Sequence, residues 1–274
     1  MWTGNAVRAF LVAAAITTSA AADGEQLVIP GSGNNEYVLA VLARTFNASQ
    51  KVHQVVVPPS TGSAGALQAM EEKTATIARI GRPLKDSEHR RGVDYIPLGS
   101  DAVTFIAGTG VSVKSITAAQ AFDIYSGKIT NWSELGGKPA PIRAIGREGS
   151  DASRQIISRK ITAFDKINYS DDVKIVHLDP QMISMLDRYP SSLGFLNLSA
   201  LGAATTRLVP LALDGVPPSQ ANLESGTYPL RMDFGLLIRS DALTPAGKEF
   251  LAFIRAAAGI RVLRENGVLP APGR

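Results

Sequence analysis

Leu27-Val28-Ile29-Pro30-Gly31-Ser32-Gly33-Asn34-Asn35-Glu36-Tyr37-Val38 passes from an apolar run, through a glycine- and serine-rich turn, into a helical pattern. Tyr37, Val38, Val41, Leu42 and Phe46 then share one face at helical spacing. The same order returns at Val55-Val56-Val57, Ser60-Thr61-Gly62-Ser63 and a helix-like stretch from Ala64 to Lys73. Strand, turn and helix repeated in this order predict an α/β fold. Ligand groups are then expected at the C-terminal ends of the strands.

Further along, Asp101 to Ala107 reads as a buried strand that carries the chain into a second lobe. Thr117 fits an N-cap for a helix from Ala118 to Tyr125, with Gly127 where a C-terminal glycine belongs. Ile142 to Ile145 predicts another strand, which runs into Arg147-Glu148-Gly149-Ser150-Asp151-Ala152-Ser153 and a helix over Gln155 to Phe164. Asp179-Pro180 has the form of an N-cap followed by proline at the first helical position. The pattern loosens near residue 204. Gly235 to Ile238 then reads as a strand, and Thr244-Pro245 as the start of a C-terminal helix. The expected organisation is a two-lobed α/β fold: residues 23–103 with 205–274 in one lobe, and 104–204 in the other.

The N-terminus has a secretory layout. Arg8 precedes the apolar run Ala9 to Ile16, and small residues Ser19 to Ala22 follow. Residues 1–22 are therefore expected to be a cleaved signal that delivers the mature chain to the periplasm. The apolar run is short of the roughly 20 residues a spanning helix needs. With no cysteine in the chain, disulfides, thiol catalysis and a lipid-modified cysteine are excluded. The net charge of +4 is spread without a basic stripe and aromatics make up 6%, so nucleic acid is not an expected partner. A mildly positive field instead favours the arrival of a small anion.

Three turns precede helices: Gly31 to Asn35, Ser60 to Gly65, and Gly149 to Ser153. A helix N-terminus presents unpaired N–H groups and a partial positive charge, so it holds an anion without a lysine. Ser32, Asn34, Asn35, Ser63, Ser150 and Ser153 add side-chain donors, and Arg147 adds a planar fork of N–H groups suited to a tetrahedral oxyanion. Each turn taken singly is equally an ordinary helix cap. Arg82 is a further cleft candidate, with a salt-bridged loop arginine as its alternative. The three histidines, His53, His89 and His177, lack metal spacing, and there is no nucleophile elbow or phosphate-binding P-loop. Neither a metal, a cofactor nor an enzymatic role is expected.

Asp123-Ile124-Tyr125-Ser126-Gly127-Lys128-Ile129-Thr130-Asn131-Trp132-Ser133-Glu134-Leu135-Gly136-Gly137 resembles a stretch of the phosphate-type ABC-transporter substrate-binding proteins. Gly31-Ser32-Gly33, Thr61 to Gly65, Arg147 with Ser150 and Ser153, Tyr189 to Phe195 and Gly226 to Leu230 resemble further segments of that family. The resemblance implies a periplasmic-binding-protein fold of type II that closes around phosphate in the inter-lobe cleft. It also implies delivery to a membrane ABC permease by a monomer. Trp132 is expected to pack rather than to touch ligand.

The chain departs from the family in two places. No acid stands at Ile80, Gly81 or Arg82, where many relatives carry the aspartate that accepts a proton from hydrogen phosphate. The third loop contains Asp151, which with Glu148 is a possible substitute acceptor or, equally, a cap or salt-bridge partner. Tungstate, molybdate or sulfate is therefore the alternative ligand. A sensor or adaptor with incidental anion binding is the alternative role.

Overall fold

The computed structural model describes residues 24–272. The expected export signal lies outside the described residues. In chain order the strands are β1 (Gln26–Val28), β2 (Gln54–Val56), β3 (Ile77–Ile80), β4 (Asp94–Ala107), β5 (Ser115–Ile116), β6 (Arg143–Arg147), β7 (Lys174–Val176), β8 (Ser192–Asn197), β9 (Val209–Pro210), β10 (Ala212–Leu213), β11 (Arg231–Ile238) and β12 (Leu269–Pro270). The helices are α1 (Glu36–Ser49), α2 (Gly62–Glu71), α3 (Ala118–Tyr125), α4 (Ala152–Lys160), α5 (Asp179–Arg188), α6 (Gln220–Glu224), α7 (Pro245–Arg255) and α8 (Ala257–Glu265).

The main sheet runs β3-β11-β4-β8-β6-β7. Its centre is β4, fourteen residues long. The first part of β4, from Asp94 to Ala102, pairs antiparallel with β11, and the last part, from Val103 to Ala107, pairs with β8. One strand thus serves two halves of the molecule. In the first half, Val38, Leu42 and Phe46 of α1 pack with Ile77, Phe234, Phe250 and Ile254. Their spacing along α1 is the helical stripe read from the sequence. In the second half, Phe105, Tyr125, Phe164 and Phe195 form an aromatic cluster with centroids 5.7–6.2 Å apart, within the range of favourable edge and tilted contacts.

Residues 205–230 stay with the second half. β9 pairs with Ile106 and Ala107, β10 pairs with β5, and the Tyr228 hydroxyl donates to the Val103 carbonyl at 2.9 Å. We propose that the lobe boundaries fall within β4 and at the start of β11, so that the return crossing comes after residue 230 and not near 204.

The segment from Thr117 to Gly136 forms as its local signals predict. The Thr117 side chain accepts from the Gln120 N–H, and Gly127 and Gly136 take φ of 81° and 77°, which costs glycine little. Trp132 is buried, and its indole N–H donates to the Ser191 carbonyl at 2.9 Å. It is a packing residue that pins the turn. No described helix is long and apolar enough to cross a membrane.

Candidate functional site

The first loop, at the C-terminal end of β1, is fixed by Arg79 on β3. Arg79 is fully buried. Its guanidinium donates to the backbone carbonyls of Ser32 (2.8 Å), Ile29 and Pro58 (2.8 Å), and pairs with Glu36 at 3.1 Å. A single side chain therefore holds the first loop, the end of β2 and the start of α1 together. Burial lowers the Arg79 pKa while Glu36 opposes that shift, and the carbonyls replace the lost water. The second loop adjoins the first: the Thr61 N–H donates to the Gly31 carbonyl at 3.0 Å.

The first and third loops meet across the two halves. Asn34 Nδ2 donates to Ser153 Oγ at 3.0 Å and to Asn197 Oδ1 at 3.2 Å. Ser153 Oγ donates to the same Asn197 oxygen at 3.3 Å, and Ser32 Oγ donates to Asn34 Oδ1 at 3.3 Å. All four side chains are buried. Asn35 donates to the Ile80 carbonyl at 3.1 Å, leaving its own buried Oδ1 without a partner.

Helices α1 and α2 begin at Asn35 and Thr61 with no side-chain cap. The Glu36 N–H donates to the Gly33 carbonyl at 3.0 Å and the Gly62 N–H to Ser60 Oγ at 3.1 Å, while the positive ends of the two dipoles still favour an anion. α4 differs, because Asp151 caps it, accepting from the Arg154 N–H at 2.9 Å.

Arg147, at the end of β6, is buried between two carboxylates. Its Nη2 donates to Asp151 Oδ2 at 2.6 Å and its Nη1 to Asp179 Oδ1 at 2.8 Å. Arg147 Nε and Asp179 Oδ2 are both buried without a partner. Burial pushes the Asp179 carboxyl up to about 6, with Arg147 pulling against it. Asp179 occupies the first turn of α5 but does not cap it. The backbone cap is Leu178, and the Asp179 side chain turns inward to Arg147. This corrects the N-cap reading of Asp179-Pro180. The sequence pattern of an acid before proline is the same in either arrangement.

The remaining expected site residues lie further out. Ser63 is half-buried in the first turn of α2. Ser150 is exposed, and its carbonyl accepts from the Gln155 side chain at 3.3 Å. Glu148 is exposed and faces His177 at 3.2 Å. Arg82 forms a two-pronged pair with Glu88 at 2.6 and 2.7 Å, which holds the Glu88 carboxyl down at about 2. Arg79, Asn197 and Asp179 are the residues that sequence reasoning missed. Asn197 sits at the C-terminal end of β8, where an α/β sheet presents ligand groups. Arg79 stands alone among the apolar residues Ile77, Ala78 and Ile80 of a fully buried strand. Among the described residues, no group of acids and histidines is placed to hold a metal.

A Cβ at Gly81 would lie 2.6 Å from Ser32 Oγ and 3.3 Å from Asn34 Oδ1, so a side chain there would displace the Ser32 hydroxyl.

Two α/β halves joined by a shared strand, with polar groups from both halves meeting between them, define a two-lobed binding protein. The chain belongs to the PBP superfamily, whose domain model matches residues 17–257. It is 23% identical over 254 residues to the phosphate-binding protein PstS of Borreliella burgdorferi, covering 90% of this chain and 91% of that protein. It is 25% identical over 250 residues to PstS of Bacillus subtilis, covering 88% and 80%. The phosphate-bound crystal structure of a phosphate ABC transporter substrate-binding protein from Clostridium perfringens has the same fold. It matches with a TM-score of 0.75 at 23% identity, over 90% of this chain and 100% of that one.

Proposed function

We propose that this protein is an exported binding protein that captures a phosphoryl oxyanion, of which inorganic phosphate is the simplest, between its lobes and presents it to an ABC permease. One observation carries this reading. Asn34 of the first loop bonds Ser153 and Asn197 of the other half, and Arg147, which pairs with Asp151 at the cap of the same helix α4, stands at the end of β6 with an unpartnered Nε. The names of the relatives agree with it.

Charge counting favours a ligand that carries a proton. Arg147 lies against two carboxylates, so the site holds one net negative charge when both are ionised. Sulfate would meet that charge with no O–H to offer. Hydrogen phosphate donates an O–H to the unpartnered Asp179 Oδ2, while its other oxygens accept from the unpartnered Arg147 Nε and, once they release their bonds to one another and to Asn197, from Asn34 and Ser153. Asp179 thereby takes the acceptor role, and Asp151 remains the cap of α4. Closure over the anion creates the surface that a permease reads.

The test is isothermal titration of the mature, phosphate-stripped protein with phosphate, sulfate and tungstate. Saturable phosphate binding with little response to sulfate is expected. Preferential binding of sulfate or tungstate would change the ligand, and no binding of any of the three would leave the sensor or adaptor role.

A further inference from the structure

We propose that the preferred ligand is an organic phosphoryl compound, a phosphonate or phosphate monoester, whose apolar group lies in a groove between α1 and α5. The inference rests on the oxyanion reading of the site and adds the class of substrate that the site selects.

A cavity of about 640 Å³ is lined by Gly33 of the first loop, Asp179, Arg188 and Thr205. That volume is in the range that encloses a whole small organic molecule, far more than one tetrahedral ion fills. The groove lies between α1 of one half and α5 of the other, beside the Asn34–Ser153 bond of 3.0 Å that joins the two halves. Its far wall is preformed. Asp187 on α5 accepts four hydrogen bonds at 2.5–3.1 Å, two each from Thr205 and Thr206, which ties α5 to the segment opposite.

The lining sets the chemistry of the tail. Tyr37, Ala40, Val57, Ile183 and Ala203 provide apolar surface along α5, about 15 Å long at its rise per residue. The acids that reach the groove are already engaged: Glu36 by Arg79, Asp179 by Arg147 and Asp187 by the two threonines. An apolar group therefore meets carbon along the walls and no unpaired acid. The head remains at Asp179, which lines the groove and whose buried Oδ2 lacks a partner. A phosphonate or monoester keeps the tetrahedral oxygens and a titratable O–H, and adds the group that free phosphate lacks.

The experiment is titration of the mature protein with inorganic phosphate and with phenylphosphonate, on the wild type and on Ala203→Phe and Ser184→Phe. Both substitutions fill the groove from exposed positions. Phenylphosphonate is expected to bind the wild type about tenfold or more tightly than phosphate, the scale set by burying an apolar ring. Each substitution is expected to remove that advantage while phosphate affinity is kept. Phosphate binding without phenylphosphonate binding overturns the inference and leaves the phosphate reading standing. Tighter phenylphosphonate binding that neither substitution weakens overturns the groove. Failure of both ligands overturns both readings.

Discussion

Arg147 and Asp179 face each other at 2.8 Å, both buried, and each keeps one polar atom, Nε and Oδ2, without a partner. Two incomplete groups in contact form a half-built hydrogen-bond network, which a ligand bearing both an acceptor and a donor completes.

Asp179→Asn removes the ionised acceptor but keeps the shape. It is expected to lower phosphate affinity and raise sulfate affinity, narrowing the ratio between them. In the wild type, the same narrowing is expected as pH falls through about 6, where Asp179 takes up a proton and its free oxygen becomes a donor. Parallel titrations at pH 5 and pH 8 measure it. A ratio unchanged by both the substitution and the pH would exclude Asp179 as the discriminating group.

Arg147→Met leaves Asp151 and Asp179 facing one another in a buried site. Removing one partner of such a pair typically costs about 2–5 kcal/mol, or roughly 30- to 5,000-fold in affinity. Oxyanion binding is expected to fall by that amount and the melting temperature to fall with it. Asp151→Asn in the same background is expected to recover part of the melting temperature without restoring binding.

Gly81→Ala places a methyl group 2.6 Å from Ser32 Oγ. Overpacking of this kind costs about 1–3 kcal/mol, and here the atoms that must move are the donors of the site. The substitution is expected to weaken phosphate binding more than Ala78→Gly, which alters the same strand away from the cluster. Calorimetry and thermal denaturation of the pair separate the two effects.

Asp101, on β4, is fully buried and accepts from the Ser199 N–H at 3.2 and 3.4 Å. Burial pushes its carboxyl from 3.8 to about 7. Between those values the folded chain holds a proton that the unfolded chain has released. The stability contributed by this group is complete below pH 3.8 and is lost as pH rises through about 7. Asp179 acts in the same direction up to about 6. Asp101→Asn is expected to raise the melting temperature at pH 8 and to reduce, without abolishing, its decline between pH 4 and pH 7. An unchanged profile would show that Asp101 does not carry the slope.

The elements of this fold that were legible in the sequence are those specified by their own residues. Thr117 and Gly127 set a cap and a turn through local backbone chemistry, and the apolar stripe of α1 declares its buried face. The three loops before helices were legible for the same reason. What escaped depends on contacts between distant residues. Asp179 is 32 positions from Arg147 and Asn197 is 163 from Asn34, and no spacing rule connects them. Arg79 carries a signal, a lone cation in an apolar strand, whereas Arg82 pairs with Glu88 six residues along. The stretch from 205 to 230 reads as loops because its short strands β9 and β10 are defined by the partners they find, not by their own pattern.

The shared strand has a mechanical consequence. β4 passes from one half to the other without a gap in its ladder: Arg231 and Met232 lie opposite Ala102 and Asp101, and the Val103 N–H donates to the Leu230 carbonyl at 2.8 Å. A joint of paired strands behaves as a leaf spring, spreading any bend over several rungs as added twist, with no backbone group bared to water. The amides of Ala102 and Met232 should then exchange with solvent equally slowly whether the protein is empty or loaded. Capture and release would flex the joint and leave its hydrogen bonds intact, so the protein can cycle many times without wearing the part that moves.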